Sequence, residues 1–449
     1  MVLGRRALAG AAVALAAAGA ASTFGTACNQ SLFDNHGAGS TPGPGPGSDA
    51  GTDGGADTVP LHCDAPCLAD AAADYDGTTT GSGNHWRYLD DKRDHTWSPM
   101  MVGTGGMTGV DAGNHIASCR DNAALPGCQA LPGALVMSSA GATAAADPAI
   151  EFHLDAPHAI QLSLRAFVPG DTQQVVELYR NSREDVLFKG TAPAGQVLAQ
   201  TIALDALAGD RFVFALTPQA RGADGVAVQL FASEASAAFP STCQLALAFP
   251  TVNASSLQDQ CKGAAFDFHS AQGPVTLAYA PGPYAELGQA LDVAPGNYLQ
   301  GMSVLDQSSD LTVQFWMLQR NQDTFDIAYP FSDLDLDAGG GLGIGVMPGV
   351  PPVLDIRSSR DPHASSYLDT TAAFSVQGLW EFVRVVHRGD TLSVCVNGQR
   401  IVTNTVPAGQ LHTTFAPYLG RNVIWPPGGA YYDGLLDDVR VLSAVLPCD

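Results

Sequence analysis

The chain has 449 residues, 46% of them hydrophobic, which suffices for roughly two to three domains with their own cores. Acidic residues outnumber basic ones 44 to 21, giving a formal net charge of −23. With no basic cluster to neutralise phosphates, nucleic-acid binding drops out as a function class.

Arg5 and Arg6 precede an apolar run from Ala7 to Phe24, and the segment closes on Gly25-Thr-Ala-Cys28. This layout predicts an export signal over residues 1–27, too short and too rich in Ala and Gly for a membrane span. Two small residues before a cysteine resemble the lipobox of bacterial lipoproteins, although Gly25 stands where that family usually has Leu. The resemblance implies a lipid on Cys28, membrane attachment through it, and display in the periplasm, on the outer membrane or at the cell surface. Plain secretion is the alternative. Residues 28–60 are Gly, Pro, Ser, Thr and Asp in the main, so they bury too little to offset chain entropy and are expected to form a disordered tether.

There are nine cysteines, and setting Cys28 aside leaves eight, an even number that suits a disulfide framework in an oxidising compartment. The expected pairs are Cys119–Cys128, Cys243–Cys261 and Cys395–Cys448, which leaves Cys63–Cys67; exchange among the first four stays open. His62 beside Cys63 and Cys67 is a weaker metal candidate, because paired cysteines in an exported chain favour a disulfide.

Residues 61–241 are read as one domain with a Cys-rich beginning. From Ala149 onward period-two alternation is clear: Ile150, Phe152 and Leu154 alternate with polar residues, as do Ile160, Leu162 and Leu164. Further runs at 175–179, 186–188, 197–204, 211–216 and 226–231 are separated by Pro, Gly and Asp turns, with no long helical pattern between them. Short strands at such spacing predict an antiparallel β-sandwich.

A second sandwich is expected over 242–449. Its strands include Asp310-Leu-Thr-Val-Gln-Phe-Trp316, Leu379-Trp-Glu-Phe-Val-Arg-Val-Val386 and Leu392-Ser-Val-Cys-Val-Asn-Gly398, where Asn397-Gly398 signals a tight hairpin. Together with Cys243-Gln-Leu-Ala-Leu-Ala-Phe249, Tyr418-Leu-Gly-Arg421 and the closing Asp433-Gly434 and Asp437-Asp438-Val439-Arg440, these resemble, in order, the laminin-G-like or concanavalin A-like jelly-roll domains of bacterial surface proteins. The resemblance implies two stacked sheets that bind glycans or protein partners, sometimes with calcium. Trp316 and Trp380, on alternating strands, are expected to fill the core between the sheets. Asp437 and Asp438 are expected to be solvent-facing or turn-bracing carboxylates.

Asp333, Asp335 and Asp337 alternate as hard oxygen ligands of Ca²⁺ do, but Ala338 and Ile344 stand where a helix-loop-helix calcium site needs Gly and Glu. An acidic strand turning at the glycines that follow is the competing explanation. For ligand binding, Asn422, Trp425, Tyr431 and Tyr432 share a Pro/Gly-rich connection; sugars stack on such rings while Asn bonds hydroxyls, unless the rings cover the end of the core. No catalytic motif emerges, and no pair of alternating glutamates of the kind jelly-roll glucanases use. The expectation is an all-β, disulfide-braced binding or adhesion protein, not an enzyme, recognising a glycan or a cell-surface protein. The alternatives are a polysaccharide-degrading enzyme with its site in 61–148, or a purely structural surface protein.

Overall fold

The computed structural model describes residue 63 and residues 66–78, 85–92, 96–110, 113–140, 144–217, 225–235, 242–249, 257–270, 277–285, 287–306, 310–320, 327–334, 340–347, 353–359, 368–373, 378–405, 416–421 and 431–448. The export signal, Cys28 and the tether expected at 28–60 lie outside the described residues. Among those described, all regular structure is β-strand, in four antiparallel sheets.

Strands up to Glu234 form sheets I and II. Sheet I is built around His158–Phe167, which pairs on one side with Val197–Ala206 and on the other with Val226–Glu234. Sheet II orders Val186–Ala192, Gln174–Arg180, Arg211–Thr217, Asp147–His153, Trp86–Asp91 and Trp97–Pro99. Alternation decides which face each strand buries. Ile160, Leu162 and Leu164 from sheet I meet Val176, Ile150, Phe152, Phe212 and Phe214 from sheet II in one hydrophobic core.

From Cys243 onward the strands form sheets III and IV. Sheet III runs Ala278–Pro281, Gln289–Val293, Gly434–Leu442, Leu311–Gln319, Trp380–Arg388, Thr391–Val396 and Gln399–Thr405, and Cys243–Leu247 also pairs with Gly434–Leu442. Sheet IV runs Leu257–Gln258, Ala265–Ser270, Asn297–Gly301, Tyr418–Leu419, Ala328–Ser332, Gly341–Met347, Val353–Ser359 and Leu368–Ala373. Phe315, Met317, Val383, Val385, Val439 and Val441 face Leu299, Phe331, Ile344, Leu354 and Leu419 between these sheets. Each such side chain contributes about 1.5–3 kcal/mol by leaving water. Asn397 and Gly398 both take positive φ, 50° and 74°, as the tight hairpin requires.

Trp316 departs from expectation. Phe315 and Met317 occupy the inter-sheet core, so Trp316 points to the opposite face of sheet III, where it packs edge-on against Tyr284 and tilted against Phe382. Trp380 is half-buried at the start of its strand and is likewise not part of that core. Asp437 and Asp438 are buried as well, neither of them facing solvent. A bulge places them: Gln314 lies opposite Arg440 and Trp316 opposite Asp437, so two residues of one strand oppose one of the other, and Asp438 takes φ 45°.

The outer face of sheet III lies against the first sandwich. There Arg440 donates to Asp210 from both terminal nitrogens, at 3.0 and 2.6 Å, and to Asp438 from Nε at 2.7 Å. Arg384 pairs with Asp185 and also donates to the Val186 carbonyl at 3.1 Å; Arg180 Nε and Gln314 Nε2 reach the same Asp185 carboxylate at 2.8 and 3.1 Å. All of these side chains except the Val186 backbone acceptor are essentially excluded from solvent. Charges removed from water need partners of opposite charge to persist, and each of these arginines has at least one carboxylate. The Asp205 carboxylate also ties the two sandwiches, accepting from the Thr242 and Cys243 backbone at 2.8 and 3.0 Å.

Four disulfides, Cys63–Cys67, Cys119–Cys128, Cys243–Cys261 and Cys395–Cys448, brace the fold.

Candidate functional site

With one face of sheet III packed against the first sandwich, sheet IV carries the outer face of the second. Its strands send Phe268, Leu299 and Leu419 to the core and, by strict alternation, His269, Tyr298 and Tyr418 outward. Register makes these neighbours: His269 is directly opposite Tyr298, and Tyr418 is opposite Gln300. The His269 ring stacks on Tyr298 at 4.9 Å and 15°, and Tyr298 lies 5.8 Å from Tyr418 and 6.3 Å from Tyr431, each at 27°. All four rings are partly exposed.

Arg421 enters this group from the turn after Leu419. Its guanidinium carbon sits 4.6 Å from the Tyr298 ring centre and 5.9 Å from those of Tyr418 and Tyr431, in range for cation–π attraction. Gly420 makes the approach possible. It has φ 92°, and a side-chain carbon there would lie 2.7 Å from Val293 Cγ1 and 3.1 Å from the Asn297 carbonyl. The Gly420 carbonyl in turn accepts from Tyr432 N at 2.9 Å, which fixes where Tyr431 starts. Burial pushes the Tyr418 phenol up, Arg421 opposes this, and Tyr298 adds to it.

Of the ligand residues expected from sequence, Tyr431 joins the cluster. Tyr432 does not. Its ring is fully buried in the inter-sheet core and its hydroxyl donates to the Leu435 carbonyl at 3.3 Å, so it covers the core and offers nothing to a ligand. Asn422 and Trp425 lie outside the described residues. His269, Tyr298, Tyr418 and Arg421 went unread in the sequence because they are single residues on three separate segments, and only strand pairing collects them.

Asp333, the first of the calcium candidates, is fully buried, and its carboxylate accepts from Leu342 N at 2.7 Å across the start of a hairpin. Burial raises its pKa to about 7, against the pull of that hydrogen bond. Asp335 and Asp337 lie outside the described residues. Among the described residues no three His, Cys, Asp or Glu side chains are grouped to hold a metal ion.

The densest charge cluster of the first sandwich is on the outer side of sheet II. Arg183 donates to Asp91 at 2.8 Å, to Asp147 at 2.7 Å and to Glu177 at 3.3 Å, and Tyr179 donates to Asp91. Both buried aspartates thus share one guanidinium, an arrangement that braces the sheet.

Residues 294–448 match the Concanavalin A-like lectin/glucanases superfamily, in its laminin-G-type branch. The C-terminal region is thus a concanavalin A-like domain. No curated protein matches the chain in sequence. Solved structures with similar folds include domain 4 of an extracellular arabinanase from Geobacillus stearothermophilus, in complex with arabinotriose (17% identity, 46% of this chain and 95% of that one, TM-score 0.38). They also include a botulinum neurotoxin type C structure concerned with cell entry through two ganglioside molecules (14%, 46% and 49%, 0.35), and the binding domain of Paraclostridial Mosquitocidal Protein 1 (12%, 46% and 50%, 0.35). The match spans about half the length of the two toxin chains.

Proposed function

We propose that the chain is an exported binding protein that holds a glycan on the outer face of sheet IV, through Tyr298, Tyr418, Tyr431 and Arg421. In this reading Cys28 carries a lipid and residues 28–60 act as a spacer with a root-mean-square reach of about 30 Å. The observation that carries it is the gathering of three partly exposed tyrosine rings around one arginine, with His269 stacked on Tyr298, on the face of the concanavalin A-like domain opposite to the one held by Asp185 and Asp210. Phenol rings offer a sugar both apolar contact and hydroxyl partners, at little entropic cost because only two torsions are fixed. Asn422 and Trp425 fall in sequence between Arg421 and Tyr431.

This reading is one of holding rather than transforming; the pairing of Asp91 and Asp147 with Arg183 in the first sandwich is consistent with it. A glycan array probed with the purified chain, with and without calcium, tests the reading. Binding that weakens in Tyr298→Ala supports it. A blank array together with capture of a surface protein moves the ligand to the protein class, and release of reducing sugar from a polysaccharide would replace binding by hydrolysis. A calcium requirement abolished in Asp333→Asn would add that ion as a cofactor.

A further inference from the structure

The outermost strands of a sheet carry backbone N–H and C=O groups that a further strand can pair, and proteins blunt them by shortness, proline, charge or a bulge. Sheets II, III and IV and one end of sheet I follow that rule. Met101–Gly103, Trp97–Pro99 and Leu257–Gln258 are only three, three and two residues long, and Ala278–Pro281 ends on Pro281. Val186–Ala192, Gln399–Thr405 and Leu368–Ala373 bear Lys189, Arg400 and Asp369. Val197–Ala206, the other end of sheet I, does not follow it. It runs ten residues in unbroken register along His158–Phe167, with no bulge, no proline and no charge before Asp205. Among the described residues no strand pairs with its other side. Leu198 and Ile202 pack against the core yet stay only partly buried, and Ala199 and Thr201 are exposed.

The order of residues says what completes this edge. About Thr201 the strand reads the same in both directions, Leu198-Ala-x-Thr201-x-Ala-Leu204. Two such strands, antiparallel and related by a two-fold axis at Thr201, set Leu198 against Leu204 and Gln200 against Ile202 on the core side. On the opposite side Ala199 meets Ala203, and Thr201 meets its own copy. The leucine pairs extend the apolar face, Thr opposite Thr is a favourable cross-strand match, and the small alanines leave nothing to clash. Asp205, the one charge of the strand, falls opposite Val197, so no like charges meet. The neighbouring strand sets Ser163 beside Thr201, their hydroxyl oxygens 3.3 Å apart, which is compatible with the same packing. We infer that Val197–Ala206 is a self-association edge: it pairs antiparallel with the same strand of a second copy, about a two-fold axis at Thr201, and joins the two copies of sheet I into one continuous sheet.

Sedimentation equilibrium of the full chain, from about 1 μM to about 1 mM, measures the association. The wild type should be dimeric at the upper end of that range. Because Thr201 faces its own copy, any charge placed there opposes itself. Thr201→Glu and Thr201→Lys should therefore each raise the dissociation constant about fivefold or more, as like charges directly opposite do, while their equimolar mixture recovers the affinity as a heterodimer. Added salt should narrow these differences. Thr201 is exposed, so the monomer should tolerate both changes, and thermal melts check this. If either variant fails to fold, Thr201→Cys decides: directly opposed antiparallel residues have Cα atoms about 4.5–5.5 Å apart, within disulfide range, so mild oxidation should link two chains covalently. A wild type still monomeric at the top concentration overturns the inference. A dimer indifferent to both charged variants, or one that their mixture does not restore, overturns it as well, because the contact then lies away from Thr201. So does the absence of a cross-linked Thr201→Cys dimer on a non-reducing gel.

Discussion

Replacing Asp210 by alanine is the sharpest probe of how the two sandwiches hold together. Asp210 is buried and accepts four hydrogen bonds: two from Arg440, at 3.0 and 2.6 Å, one from Asn181 Nδ2 at 3.0 Å and one from the Leu207 backbone at 2.9 Å. Its removal leaves Arg440 desolvated with Asp438 as its remaining carboxylate, and strips two further donors. Truncating one partner of a buried, hydrogen-bonded ion pair costs about 3–5 kcal/mol, a large share of the roughly 5–15 kcal/mol that separates folded from unfolded protein. Arg440 lowers the Asp210 pKa from 3.8 to about 2 despite burial. The sign follows directly: this contribution, about 2 kcal/mol, is fully present above pH 4 and fades as pH falls toward 2. Urea unfolding followed by tryptophan fluorescence is the assay. At a slope of about 1–3 kcal/mol per molar, the midpoint should drop by more than 1 M at neutral pH. The gap to wild type should narrow near pH 2. Arg87→Ala, which breaks a half-exposed pair with Glu151, should shift stability by less than about 1 kcal/mol. If Asp210→Ala matched that control, the ion cluster would not be what couples the sandwiches.

Three further outcomes are expected. Asp333→Asn keeps an oxygen for the Leu342 amide but removes a carboxyl whose pKa is raised to about 7; the wild type should lose up to about 4 kcal/mol of stability between pH 4 and 7 that the variant retains, measured as unfolding free energy against pH. Converting both Cys395 and Cys448 to serine opens a loop of sequence separation 53 and should cost about 4 kcal/mol in the chain-entropy description, read as a lowered melting temperature. Cys28→Ala should move the protein from the membrane fraction to the soluble fraction of its cell of origin; unchanged membrane association would end the lipid-anchor proposal.

Much of the fold was legible because alternation is a direct record of strand geometry. His158–Phe167 shows it plainly, and the Asn397-Gly398 hairpin follows from the φ its turn demands. Cysteine parity pointed to four disulfides, and the structure resolves the exchange left open among the first four cysteines as Cys63–Cys67 and Cys119–Cys128. Legibility failed where a strand is buried on both faces. Leu311–Gln319 is covered almost throughout, so its pattern cannot say whether Trp316 or Phe315 faces the inter-sheet core. Asp437 and Asp438 read as solvent-facing or turn-bracing carboxylates because the acid that shares Arg440 with Asp438 comes from distant chain: Asp210 is 230 residues from Arg440. The ring cluster on sheet IV was hidden for the same reason. Sequence brings Tyr431 near Trp425, but only the pairing of Ala265–Ser270, Asn297–Gly301 and Tyr418–Leu419 brings His269, Tyr298 and Arg421 beside it.

The arginine-centred seam also bears on mechanics. A molecule fixed at its amino end and gripped on sheet IV would be loaded across the join between its halves, where the pull divides between the single backbone crossing and a group of ion pairs shielded from water. Arg384 also donates to the carbonyl of Pro447, next to the Cys395–Cys448 cross-link, so the carboxyl end is stitched into that join. Separating the halves would mean dragging several unsolvated charges apart together. The seam should therefore resist separation until several of these pairs break together.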